Sequence, residues 1–292
     1  MQELIKKIRS HMNMNQTEFA EKLNVTFATV NRWENGRALP NKLAQDKIYD
    51  LCKAQNVPVY DMVIEKIETA ANGLRLEPGR VLLYHGSKSG IDGRIEPKSR
   101  KQCDFGKGFY MGTEPSQALT LICDYESARF YMVSIATEDL AVLDVPANLE
   151  WAMIVAYHRG RMEKIKGTPL YRKYQEITND KDLVIGSIAN DRMFFVIDNF
   201  FVGNITDAAL VNSLSALELG KQYVAVTGKG CDAVQIEKEI QISYLEKIFL
   251  KEVSEANRVK GTSLANDICK NYRREGLYFD EILDQAVKGG LS

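Results

Sequence analysis

The sequence predicts an α+β protein in which an all-α domain precedes a mixed α+β domain and a helical C-terminal tail. Three observations carry this expectation. Apolar residues recur at three- and four-residue steps from Leu4 to Ala71, as successive one-sided helices require. At Val81 the period changes, because Val81, Leu82, Leu83 and Tyr84 form a short strand-like run closed by Gly86 and Ser87. Beyond it, strand candidates alternate with helices, and from about Val253 the pattern is helical again. The 292-residue length fits two domains at about 150 residues each. The expected units are residues 1–70, 79–252 and 253–292, with a linker over 73–79.

The first helix collects Leu4, Ile5, Ile8 and Met12 on one face. A second starts near Asn15 and turns Phe19, Ala20 and Leu23 inward, with Asn24 placed where the chain reverses. Thr26 stands as the cap of a third, which carries Phe27, Val30 and Trp33 and is stopped by Gly36. A fourth helix spans 41–54, and a further segment runs from Pro58 to Ala71. The second domain has expected strands at 130–135, 140–143, 183–188 and 222–227 and helices at 147–159 and 208–219.

With 45% hydrophobic and 26% charged residues, the composition is that of a globular protein and excludes disorder or a fibre. A net charge of -1 excludes a molecule-wide basic field for nucleic acid. Residues 1–59 do carry a local excess, nine Lys/Arg against six acids. Five widely spaced cysteines without a CxxC pair suggest reduced thiols rather than disulfides or zinc, and no metal site is expected. No apolar run reaches the ~18 residues of a membrane span, so a cytoplasmic protein with no membrane partner is expected.

The order Gln16, Phe19, Ala20, Leu23, Val25, Thr26, Val30, Arg32, Trp33 and Gly36 resembles the phage repressor/Cro-like helix-turn-helix family across nearly all of residues 1–60. Ala20 is small enough for two helices to cross closely, the valines fill the wedge, and Trp33 anchors the third helix. In that family the third helix lies in the major groove. The resemblance therefore implies DNA as a partner, with contacts from Gln16, Thr26, Phe27, Thr29, Asn31 and Arg32, and a homodimer on two half-sites.

Three later segments stand out: Tyr84-His85-Gly86-Ser87, Gly106-Lys107-Gly108-Phe109-Tyr110, and Gln222-Tyr223 at a strand entrance. In order and local sequence they resemble the ADP-ribosyltransferase fold in its diphtheria-toxin and poly(ADP-ribose) polymerase branch, over roughly residues 80–250. That resemblance implies NAD as substrate. His85 would bond a ribose hydroxyl, Gly86 and Ser87 would hold the nicotinamide carboxamide, and Tyr110 beside Phe109 would stack on the nicotinamide ring, with Tyr125 as a second aromatic wall. The third family position is usually Glu and here is Gln222, which bonds a hydroxyl but carries no charge and cannot act as a base.

Either the acceptor needs no deprotonation, or another carboxylate supplies the charge, with Asp191 favoured over Glu218. His158 is expected on a solvated helix face. The resulting expectation is a mono-ADP-ribosyltransferase fused to a DNA-binding domain, a toxin-like or defence effector of bacterial or phage origin. Its ADP-ribose acceptor is an unidentified macromolecule, and a neutralising partner or antitoxin would accompany it. The alternatives are a transcriptional regulator that only senses NAD, which Gln222 favours, and an NAD glycohydrolase.

Overall fold

A computed structural model describes residues 1–188, 191–216, 220–272 and 274–288. The N-terminal helices are α1 Gln2–His11, α2 Gln16–Leu23, α3 Phe27–Glu34, α4 Lys42–Ala54 and α5 Val59–Asn72. Local chemistry sets their ends. The Asn15 side chain accepts from the Thr17 and Glu18 amides while Glu18 bonds back to the Asn15 amide, closing a capping box on α2. Asn24 then adopts the left-handed conformation at φ 55° and ψ 50°, which turns the chain into Thr26, the cap of α3. Leu4, Ile5, Ile8, Phe19, Ala20, Val30 and Trp33 are buried together, as expected.

Seven strands of the described residues form one sheet: β1 Arg80–Ser87, β2 Phe109–Gly112, β3 Arg129–Ala136, β4 Val142–Val145, β5 Leu183–Ser187, β6 Lys221–Ala225 and β7 Val234–Ile240. Their order is β4-β5-β6-β2-β1-β3-β7. β4 and β5 are parallel and every other pair is antiparallel. β7 escapes the sequence reading because Glu237, Lys238 and Glu239 interrupt its apolar alternation, which suits a sheet edge partly open to water.

The remaining helices are α6 Pro115–Ile122, α7 Leu149–His158, α8 Pro169–Glu176, α9 Asp191–Phe201, α10 Asp207–Ala216, α11 Gly228–Asp232, α12 Tyr244–Tyr272 and α13 Phe279–Val287, with a 3-10 turn at Glu163–Ile165. Helices α7 to α10 and α13 pack over the β5–β6 half of one sheet face around Trp151, Phe200 and Val224. Helix α6 covers the β1–β3 half of that face, where Phe130 and Met132 point. On the opposite face Leu83, Tyr131, Val133 and Ile185 pack with Ile91 and Ile95 of the loop after β1.

The expected three-part division does not describe the packing. Helix α12 runs straight through the 252/253 boundary, and its Leu245, Phe249 and Leu250 share one core with Ile48, Val63, α6 and β3. The seam also has polar fastenings. The Tyr49 ring lies 5.1 Å from that of Phe249, tilted against it, and its hydroxyl donates to Glu252; Lys53 pairs with Glu252 at 3.1 Å, and Lys66 pairs at 2.8 Å with buried Glu246. The tail is thus a structural joint, because its apolar stripe matches the faces that α4, α5 and α6 leave uncovered. Among the described residues no helix is long and apolar enough to cross a membrane.

Candidate functional site

The central strands part at β1 and β2, which share the single pair Tyr84↔Gly112. One residue further along β1, a side chain replaces the ladder: His85 Nδ1 bonds the Tyr110 carbonyl at 2.7 Å. A carbonyl only accepts, so Nδ1 carries the proton. Burial pushes the His85 pKa down, more than the Tyr110 bond raises it, and the neutral ring keeps a lone pair on Nε2. The ring is fixed from behind by Phe109, stacked 4.2 Å away.

Tyr110 is oriented by the glycine turn before it. Its hydroxyl donates to the Gly106 carbonyl at 2.8 Å and accepts from the Phe105 amide at 3.0 Å, and burial raises its pKa. The hydroxyl is therefore occupied, and what remains for a ligand is the ring. Gly106 sits at φ +73°, a conformation side chains avoid, and Gly108 lies so close to β6 that a Cβ would meet Val224 Cγ1 at 2.3 Å.

Gln222 lies opposite Gly112 on one side and Gly186 on the other, and is only 7% exposed. Its Nε2 donates to the Ser187 carbonyl at 2.9 Å and to Asp104 Oδ2 at 3.3 Å. Both amide hydrogens are committed, leaving Oε1 as an acceptor. Asp104 is in turn held by Arg159 at 2.7 Å, with both side chains largely buried. A carboxylate thus contacts the Gln222 amide, supplied by a residue two positions before the glycine–aromatic motif. Sequence reading missed it, although an acid placed just before Phe105-Gly106 was a visible signal.

One cleft is bordered by His85, Gly86, Tyr110 and Gln222, joined by Tyr84 and by Tyr60 from α5. Gly86 is needed by the fold as much as by any ligand: a Cβ there would meet the Ala118 carbonyl at 2.4 Å. Helix α12 supplies a further wall, through Leu250, Val253 and Arg258 among others. No motif marks these residues, because side chains that line a cleft from a long amphipathic helix look like an ordinary partly solvated face.

Other expected site residues fall elsewhere. Phe109 lies in the core beneath His85, and the Ser87 hydroxyl donates back to the Gly90 carbonyl at 2.7 Å. Tyr125 is a correction: it does not line the cleft, but sits 39% exposed with Lys88 4.3 Å above its ring. Asp191 begins α9, and its side chain lies outside the described residues, as does Glu218. His158 is not on a solvated face. It packs under Gly106, where a Cβ would meet its Nδ1 at 2.8 Å; its Nε2 is buried with no hydrogen-bond partner among the described residues, and burial pushes its pKa down to about 4.

In the N-terminal domain, Thr26, Phe27 and Arg32 are exposed on α3, Phe27 to 51%, while Thr29 is half-buried against the Thr26 hydroxyl at 2.9 Å. Gln16 and Asn31 are tied together at 3.2 Å, and Gln16 donates to Glu34 at 2.6 Å. Glu34 is 1% exposed and takes two bonds from Arg9, at 2.6 and 3.0 Å. Burial raises the Glu34 pKa, but Arg9 and Gln16 outweigh it and the net shift is downward. This internal ion pair was not foreseen from the sequence.

Fold and sites together define a helix-turn-helix DNA-binding domain mounted on an α+β domain with an open central cleft. Residues 5–59 match a helix-turn-helix family. Residues 81–236, more than half of the chain, match a protein family of unknown function (DUF3990), and the chain belongs to that family. No curated protein and no solved structure matches it. The family match ends at β7, before α12 begins.

Proposed function

We infer that the cleft binds NAD and that the chain is a mono-ADP-ribosyltransferase directed or controlled by its helix-turn-helix domain. One observation carries the reading: His85, Tyr110 and Gln222, from three different strands, border the same cleft. His85 Nε2 and Gln222 Oε1 are both acceptors, and a ribose offers hydroxyl donors. The Tyr110 ring, with its hydroxyl already engaged, offers a flat face to a nicotinamide ring.

Breaking the glycosidic bond leaves positive charge at the sugar, so the reaction gains from negative potential that is already in place. Gln222 has none, and it cannot remove a proton from an acceptor. Asp104, bonded to the Gln222 amide, polarises the Oε1 side of that group; Arg159 offsets part of its charge. In this reading Asp104 is a positioning residue acting through Gln222, and the acceptor is one that needs little help from a base.

The test is direct. Purified full-length protein incubated with NAD releases nicotinamide and labels a macromolecule, and His85→Ala abolishes both. Failure to bind NAD at millimolar concentration in calorimetry would end this reading. Because Gln222 weakens the catalytic set, NAD binding without turnover, coupled to altered operator affinity, would instead select an NAD-sensing regulator. Free ADP-ribose as sole product would select a glycohydrolase.

A further inference from the structure

We propose that helix α12, which lies beyond the family-matched residues, supplies the anion subsite of the cleft, with Arg258 as the group that holds a diphosphate. The proposal rests on the dinucleotide reading above for the identity of the ligand. Among the described residues lining the cleft, Arg258 is the one with a fixed charge, and no carboxylate lines it. Neighbouring lysines of α12 are engaged elsewhere: Lys247 donates to the Tyr125 and Glu126 carbonyls and Lys251 pairs with Asp124 at 2.7 Å. Arg258 is exposed and makes no ion pair with a described residue.

Helical spacing explains how one element does this. Leu250, Val253, Ser254, Asn257 and Arg258 stand at i, i+3, i+4, i+7 and i+8, so they form a single face. Along that face Leu250 is buried in the core, while Arg258 reaches solvent, so the wall changes from apolar to polar and then to cationic toward the cleft mouth. A nicotinamide dinucleotide has the same gradient, a flat ring at one end and a doubly anionic bridge further along. Ser116 and Gln117, in the first turn of α6, line the same cleft and add polar side chains to its wall. An arginine suits this task better than lysine because its planar fork grips two phosphate oxygens together.

Calorimetry on the full chain, with NAD, inorganic pyrophosphate and nicotinamide as separate probes, tests the assignment. Arg258→Gln should weaken both NAD and pyrophosphate by roughly tenfold to a hundredfold, the range for one charge-assisted contact, and leave nicotinamide unchanged. Arg258→Lys should fall between. Since Arg258 is exposed, the unfolding midpoint should not move. Unaltered NAD and pyrophosphate affinity in Arg258→Gln overturns the subsite while leaving the NAD reading standing. Pyrophosphate binding that depends on Arg258, with no NAD binding, keeps the subsite and removes the dinucleotide.

Discussion

The helix-turn-helix core and the cleft use the same three chemical groups. In the first, Arg9 grips Glu34 and Gln16 donates to the same carboxylate. In the second, Arg159 grips Asp104 and Gln222 donates to it. The surroundings differ. Glu34 is closed in by helices and takes its bonds from Arg9 and Gln16 inside the domain, whereas Gln222 borders an open cleft and, with both amide hydrogens committed, has its oxygen left as an acceptor. The lesson is that an Arg–carboxylate–amide cluster has no fixed meaning: closed, it joins helices, and open on one side, it presents an oriented acceptor.

The strongest way to break this comparison is Arg9→Ala. It strands the Glu34 charge in the interior and should cost about 3 kcal/mol or more in chemical unfolding of the full chain. A loss below about 0.5 kcal/mol would mean that Glu34 finds water and that the cluster is not closed.

Next in size, Asp104→Asn keeps the shape of the cleft cluster but removes its charge. If Asp104 acts through Gln222, nicotinamide release should fall roughly tenfold to a hundredfold in kcat with KM little changed, and Glu34→Gln should leave kcat alone. Equal effects from both variants would erase the distinction drawn between the two regions.

The smallest effect is a pH dependence on the cleft side. His158 has a folded pKa of about 4, below its unfolded value near 6.5, so the unfolded chain binds the proton more tightly between them. Stability should therefore decline as pH falls through that window, by about 1 kcal/mol at roughly pH 5.5, and His158→Gln should flatten the decline. His85, shifted in the same direction, adds to the slope. Glu34, with its lowered pKa, contributes stability that is complete above the ordinary carboxylate range and is lost only on further acidification.

Much of the N-terminal domain was legible in advance because its determinants are local. Asn15, Asn24 and Thr26 cap and turn helices using neighbours within a few residues, so their spacing alone announces the fold. In the second domain His85, Gly86, Tyr110 and Gln222 were legible as fragments, and the structure brings them to one cleft. Tyr125 and His158 were misplaced for one reason: a loop tyrosine and a helix histidine carry no local sign of what packs on them.

By itself the sequence determined the helix boundaries of the N-terminal domain, the change to strands at Val81 and the residue types that could meet a nicotinamide. Tertiary structure alone decided that Asp104 contacts the Gln222 amide, that Tyr60 and Arg258 reach the same cleft, and that α12 fuses the two halves into one core. The physical reason is range. Caps and turns are fixed by bonds between near neighbours, whereas a cleft wall depends on which distant apolar face covers another, and periodicity names the face without naming its partner.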